Sequence, residues 1–312
     1  MLAPSMLIDK SLSDERDMTP FPETGILDVP FALADDLLEA AERLPRYDNR
    51  DFYSSDIQRS VRDYLHDACP DGLNWLVAQI KRRLIVWPYC ALIRGLQFDD
   101  SNRLFVGLNR VFGELVARPY EKPRAQLVHY IQPATDIPSV RGGRESERLH
   151  TDTADWPMPV QLISMICVRA DPNGGGHSRV LDIDSIRAEV EERLGNSVLE
   201  HLETEPVPWQ LAPYCGGGLT WRTVLSSSSI CWRRYTIDLA LDSGLATLPR
   251  QMLSCLDAFE QMVSSTSRTF DFLMRENELL FSDNHRTIHA RTPIVDPSKS
   301  ERLMIRSWIK VD

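Results

Sequence analysis

The sequence is short of several features that would each have fixed a function class. Its six cysteines, Cys69, Cys90, Cys167, Cys215, Cys231 and Cys255, include no CxxC pair. That excludes a paired-cysteine zinc or dithiol motif and leaves a reduced compartment as the simplest expectation. No apolar run reaches the roughly 20 residues of a membrane-spanning helix, so no membrane partner is expected. The stretch MLAPSMLIDKSLSDERD has no basic segment followed by an apolar core, so no secretory signal is expected and the location read is cytoplasmic. Basic charge is also scarce: 35 Lys and Arg stand against 45 Asp and Glu, a formal net charge of −10. A basic nucleic-acid-binding face is not expected from that balance. There is no Ser/Gly or Pro linker and no internal repeat. Neither DPNGGGH (171–177) nor CGGG (215–218) fits the phosphate-loop pattern G-x-x-x-x-G-K-[ST], so both read as turns.

What remains is an ordinary soluble composition, 43% hydrophobic and 26% charged over 312 residues, enough for one large domain. Residues 1–25 carry Pro, Ser and Asp without periodicity and read as a loose arm. Apolar residues at helical spacing mark 34–44, 72–84, 99–119, 184–202 and 247–264. The third of these is expected to be capped at Asp100 or Ser101 and the fourth at Asp184. Runs rich in Val, Ile, Leu and Tyr between Gly, Pro and Asp mark strands at 90–96, 125–133, 160–168, 178–183, 228–237, 269–274, 278–283 and 302–309. Many short strands with helices gathered toward the start predict an α+β domain over 26–312: a sandwich or jelly-roll barrel flanked by helices. A lid-like insertion is expected around 205–235. Its stretch APYCGGGLTWRTVLSSSS (212–229) reads either as a mobile lid or as an ordinary long surface loop.

The chemistry starts in ERLHTDTADWP (147–157). In an extended segment residues two apart point the same way, so His150 and Asp152 can converge on one ion. Two histidines and one carboxylate with open positions suit non-haem Fe(II) and O2. An H-x-D pair alone is weak, so a third ligand is needed. His66 and His201 lie in polar helical stretches, His129 in a strand, and His177 after three glycines. FSDNHRTIHARTP (281–293) offers His285 and His289. Thr287, Ile288, Thr292 and Pro293 favour turn and strand, which selects His289, inside the strand, over His285 at the turn. Arg302 and Arg306 then sit on an otherwise apolar strand and share a face with Met304. Buried arginines need an anion, and a guanidinium suits a bidentate carboxylate. Arg302, shortly after the metal histidine, would suit a dicarboxylate that chelates the metal at its other end. The alternative is a solvated strand face.

LHTD (149–152), GGHS (175–178), DNHRTIHAR (283–291) and RLMIRSW (302–308), in this order and spacing, resemble the taurine-dioxygenase-like superfamily. Its members, clavaminate-synthase-like ones included, are Fe(II)- and 2-oxoglutarate-dependent oxygenases. CALIRGL (90–96) is similar to the strand before that family's first core helix. The resemblance implies a double-stranded β-helix, with His150, Asp152 and His289 on the iron. It implies Arg302, thirteen residues after His289, and Ser178 on the distal carboxylate of 2-oxoglutarate. Arg306 matches a position that often meets an anionic group of the substrate. The sequence departs from the family pattern at Ser178 (often threonine), at Ala290 (usually glycine) and at Glu276-Asn277-Glu278. No ligand is lost, and Asp152 speaks against the halogenase variants.

The reaction implied is oxidation by O2, most simply hydroxylation, of an unactivated C–H bond in a small carboxylate-bearing molecule, with succinate and CO2 formed. Desaturation, ring closure, epoxidation and dealkylation are alternatives at the same site. Thr153 and Trp156, in the loop after the ligands, are candidate substrate contacts; Trp156 reads equally as core. A zinc hydrolase with the same ligands is a further reading, but it leaves Arg302 and Ser178 without a purpose. A non-catalytic jelly-roll binding protein fits a complete ligand set least well.

Overall fold

Amphipathic periodicity builds the first third of the chain. In the computed structural model, which describes residues 19–117, 127–133, 144–294 and 296–311, a short strand β1 (Ile26–Asp28) precedes helix α1 (Phe31–Arg43). Helix α2 (Ser55–Ala68) follows, capped by the Ser54 hydroxyl, which accepts from the Ile57 amide. Helix α3 (Pro70–Ile85) opens on a proline, whose missing N–H costs nothing in a first turn. Strand β2 (Cys90–Arg94) leads to helix α4 (Arg103–Arg110), in which every residue is buried.

Helix α4 is shorter than its apolar spacing predicts, and its capping carboxylate is Asp99 rather than Asp100 or Ser101. Asp99 accepts from the amides of Arg103 and Leu104 and pairs with the Arg103 guanidinium at 2.9 Å. The helix stops because Gly113 passes directly over the last strand of the sheet. A Cβ there would stand 2.1 Å from the Lys310 carbonyl oxygen. The chain continues as strand β3 (Glu114–Val116) instead.

The remaining strands complete two facing sheets and a separate two-stranded hairpin. They are β4 (His129–Ile131), β5 (Leu162–Arg169) and β6 (Ser178–Asp182), then β7 (Val207–Gln210) and β8 (Leu219–Arg222). After them come β9 (Phe270–Phe272), β10 (Leu279–Asp283), β11 (Thr287–Arg291) and β12 (Leu303–Lys310). The larger sheet runs β1-β2-β10-β5-β12-β3, with β4 also on β12; the smaller runs β11-β6-β9. Alternation assigns the faces. From β2, Ala91 and Ile93 turn toward α1–α4, while Cys90 and Leu92 turn inward, where they join Val180, Phe270 and Phe272 of the smaller sheet.

Helices α5 (Ile183–Arg193), α6 (Asn196–Thr204), α7 (Arg234–Asp242) and α8 (Arg250–Ser265) belong to the second half, where α5, α6 and α8 cover the outside of the smaller sheet through Leu181, Ile288 and Phe259. The segment 184–202, expected as one helix, is thus two. Gly195, at φ +88°, breaks it, and Asp182 rather than Asp184 caps α5 by accepting from Ser185. The expected strand 228–237 is also corrected. Only Ile230 bridges to Leu225, and α7 begins at Arg234. Within the expected insertion, β7 and β8 form a hairpin over the buried Trp209. Residues 1–18 of the expected arm and 125–126 of an expected strand lie outside the described residues. Within 19–25, Thr19 bridges to Phe270, and Phe21 is buried with its ring 4.7 Å from that of Phe272. Among the described residues no helix is long and apolar enough to cross a membrane.

Candidate active site

Backbone pairing brings the ligand candidates together. His150 and His289 exchange both amide–carbonyl hydrogen bonds at 3.0 Å, so the H-x-D segment adds onto the edge of β11. The two imidazole rings lie 4.7 Å apart. Asp152 completes the group: one potential ligand atom each from His150, Asp152 and His289 lie within 4.8 Å of one another. The set of two imidazoles and one carboxylate is the donor chemistry that holds Fe(II) on one face. Nδ1 of His150 lies 2.8 Å from the Arg148 carbonyl, which fixes the proton there and leaves Nε2 free as a ligand. Burial pushes the His289 imidazole down to about 3. The charge of Asp152 opposes this, while His150, Arg306 and Arg233 reinforce it. The ring is therefore neutral near pH 7, as a ligand must be.

Asp152 is buried and heavily held. Burial alone would disfavour its charge, but Arg306, His150 and His289 together keep the carboxyl well below the usual range. Arg306 Nη1 and Trp308 Nε1 both donate to Asp152 Oδ2 at 2.8 Å. Arg306, expected to meet an anionic group of the substrate, here places its guanidinium on the Asp152 carboxylate. The adjoining turn is clamped by Asn284, which is fully buried. It accepts from the Asp152 amide and donates to the Asp152 and Val160 carbonyls.

Arg302 behaves differently. It is 5% exposed, and among the described residues no carboxylate lies within ion-pair distance. Burial, then the neighbouring charge of Arg291, push its guanidinium down to about 10, against the influence of Cys167 and Asp171. Gly176 leaves the room: a Cβ there would meet Arg302 Nε at 2.8 Å. Ser178, two residues on, is buried in β6 opposite Arg291 of β11. The molecule thus holds a desolvated cation on the flank of the cluster, a costly arrangement unless an anion arrives.

The other candidates fall into place less uniformly. Thr153, expected to touch substrate, is fully buried at φ +55°. Its hydroxyl donates to the Asp152 carbonyl and accepts from the Val160 amide, so it staples the loop. Trp156 is half-buried, edge-on to Trp308 with centroids 5.8 Å apart, and donates to Tyr214 at 2.9 Å. Arg222 of β8 donates to the Ala154 and Trp156 carbonyls, and the Ala212 amide to that of Asp155. The insertion is therefore fastened onto the loop that follows the ligands. The His129 ring lies tilted against that of Trp308 with centroids 4.6 Å apart, and His285 closes the β10–β11 turn with Nε2 3.1 Å from the Pro159 carbonyl. Arg233, one of two adjacent arginines in a segment whose Ile, Trp and Tyr suggested strand, is a buried charge that the sequence did not single out.

The comparisons agree with this geometry. Residues 89–308 match the family described as "Taurine catabolism dioxygenase TauD, TfdA family". An asparagine oxygenase solved with Fe(II), (2S,3S)-3-hydroxyasparagine and succinate has a TM-score of 0.73 at 16% identity, over 92% of this chain and 93% of that one. The non-haem iron oxygenase OrfP, solved with Fe and alpha-ketoglutaric acid, has a TM-score of 0.70 at 18% identity, over 94% of both chains. OrfP with Fe, succinate and (3S)-hydroxy-L-Arg has a TM-score of 0.69 at 17% identity, over 92% and 94%. No curated protein sequence matches this one. The matched span takes in every ligand candidate and most of the chain: the protein belongs to the TauD/TfdA dioxygenase family, the iron- and 2-oxoglutarate-dependent oxygenases.

Proposed function

We propose that this protein hydroxylates an unactivated C–H bond of a small carboxylate-bearing molecule, using Fe(II), 2-oxoglutarate and O2. One observation carries the reading: a His-Asp-His cluster shares the molecule's inner sheet face with a buried arginine that has no carboxylate partner among the described residues. His150, Asp152 and His289 would hold the iron. Arg302 would pair with the distal carboxylate of 2-oxoglutarate, and the Ser178 hydroxyl would donate to it. When bound, iron and cosubstrate supply an oxidant strong enough for an unactivated C–H bond, with succinate and CO2 as by-products.

The chain's own residues supply orientation. Arg306 and Trp308 fix the Asp152 carboxylate and keep it ionised. The Arg148 carbonyl sets the His150 tautomer. The segment around 205–235, tied to the loop through Arg222, would help exclude water from the reacting bond. In this reading 26–312 form one domain and the two facing sheets are a double-stranded β-helix. The amino acids in the asparagine oxygenase and OrfP structures support a substrate of similar size. A zinc hydrolase would leave Arg302 desolvated without return.

The test is anaerobic addition of Fe(II) and 2-oxoglutarate, read by the visible charge-transfer band of the chelate, followed by succinate formation in air. Band and succinate are expected. Their absence, or an Arg302→Ala protein with unchanged 2-oxoglutarate affinity, would overturn the reading. Mass spectrometry of the product separates oxygen insertion from desaturation or ring closure.

A further inference from the structure

Three arginines bear on the ligand cluster, Arg306 half-buried and Arg302 and Arg233 buried, and among the described residues only Arg306 is ion-paired. Arg306 is engaged with Asp152. Arg302 has the position and isolation that suit the cosubstrate. Arg233 has no assigned task. It is 8% exposed, and among the described residues its guanidinium has neither an ion-pair nor a hydrogen-bond partner. Its chain neighbour shows how a structural arginine looks in the same turn: Arg234 pairs with Asp238 and with Asp257, both at 2.7 Å.

The backbone aims Arg233 at the site. Thr151, the residue between His150 and Asp152, donates its amide to the Trp232 carbonyl at 2.6 Å, and its hydroxyl accepts from the Trp232 amide at 2.9 Å. The segment ending in Arg233 therefore runs alongside the two ligands. Trp232 turns away from them: its ring is edge-on to Phe259 at 4.7 Å, and Nε1 donates to Glu260 at 3.2 Å. Arg233 is extended, at φ −161° and ψ 92°. Successive side chains in extended backbone alternate, so Arg233 points to the side opposite Trp232, toward the cluster. A desolvated cation held beside a reaction site, with nothing to pair with, is a position completed by an incoming anion.

We propose that Arg233 receives a carboxylate of the substrate, across the cluster from the cosubstrate arginine, and so selects anionic substrates over their neutral analogues. This deepens the oxygenase reading and rests on it. It places the substrate's anion at Arg233, while Arg306 is paired with Asp152 in this structure. A planar carboxylate accepts from both arms of the guanidinium fork, whereas a primary amide offers one accepting oxygen and turns its NH2 donors toward the other arm.

The experiment uses the full chain loaded with Fe(II) and 2-oxoglutarate without O2. The twenty L-amino acids and short dicarboxylic acids are titrated by calorimetry and by their effect on the charge-transfer band. The tightest ligand is then compared with analogues in which one carboxylate is a primary amide. In wild type, amidation of one carboxylate is expected to weaken binding about tenfold or more. In Arg233→Gln that discrimination should vanish, while 2-oxoglutarate affinity stays within about twofold and Arg233→Lys recovers part of it. The unchanged cosubstrate band shows that the Gln variant is folded. The proposal is overturned if no carboxylate of the panel binds, if amidation costs nothing, or if Arg233→Gln discriminates as wild type does. A wild-type chain without the cosubstrate band would instead remove the oxygenase reading itself.

Discussion

Arg103 and Arg302 are both buried at about one-twentieth of their full exposure, yet they belong to opposite sides of the larger sheet and to opposite kinds of design. Arg103 lies on the helical side. Its charge is met by Asp99, and Nη1 reaches the Glu42 and Leu44 carbonyls. Around it Leu104, Phe105, Phe281 and Ile309 close a continuous apolar layer. Arg302 is on the flank facing the smaller sheet, where the apolar packing of Leu92, Cys167 and Met304 gives way to Arg306, Trp308 and Asp152. Nothing of opposite charge is bonded to it among the described residues. A buried charge with all partners present is scaffold. A buried charge with a partner missing is a place prepared for something that arrives later, and local rules are broken there in exchange for function.

The most disruptive test of this contrast removes the anion at the centre of the site. Asp152→Ala takes away a ligand and strips Arg306 and Trp308 Nε1 of their shared acceptor. Succinate formation should fall by at least about a hundredfold, beyond the 10–100-fold typical when a group behind a ligand is lost. Circular dichroism should show the fold retained, since the helical layer is untouched. Wild-type turnover would mean that the metal is held elsewhere.

The paired arginines give the next test. Arg103→Gln strands Asp99, whose side chain is 1% exposed, so it should cost about 3–5 kcal/mol in denaturant unfolding. Arg302→Gln removes a desolvated charge that has no partner. Without cosubstrate it should leave stability unchanged or raise it, while weakening 2-oxoglutarate binding about tenfold or more. If both substitutions destabilise the apoprotein equally, Arg302 is scaffold too and the contrast fails.

The two sides were not equally legible in the sequence. Period 3.6 in α1 and α3 and alternation in β2, β10 and β12 report burial against a neighbour, and burial is what composition encodes. The ligand candidates that the fold brings together were legible for a different reason: H-x-D geometry and a histidine inside an Ile–Ala strand are local. Partnerships between distant residues were not. Nothing near Arg306 in sequence announces that Asp152 will take its charge, or that Thr153 will spend its hydroxyl on its own loop. The strand expected over 228–237 failed because the Trp232 backbone pairs with Thr151, 81 residues away, instead of extending a ladder. That contact is what turns Arg233 toward the site. Gly113 ended α4 through a strand nearly two hundred residues further on.

A smaller effect follows from the sign of a titration on the helical side. Burial raises the pKa of Asp99, but hydrogen bonds from the Leu104 amide and from Arg103 outweigh it and hold the carboxyl below its ordinary value. A depressed carboxylate contributes stability above its unfolded pKa of about 4 and loses it as pH falls through the lower native value. Stability should therefore drop on acidification in that window. Asp99→Asn should be less stable than wild type at pH 7 and flatter across the window. An identical acid slope would show that Asp99 does not supply the loss.

The smallest expected effect is the most selective. Ser54 caps α2 through one hydrogen bond to the Ile57 amide at 3.3 Å, on the helical side and away from the ligands. Ser54→Ala should cost about 1 kcal/mol in unfolding free energy, the usual worth of such a cap. Cosubstrate affinity should not change, because Arg302, the proposed cosubstrate residue, packs against Gly176 and Ile294 near β6 and not against α2. Measured together, the two quantities test whether the layers are energetically separable. If Ser54→Ala weakens 2-oxoglutarate binding as much as it weakens folding, then the apolar layer is not a passive support, and the orientation of β12 is set partly from the helices that cover its other face.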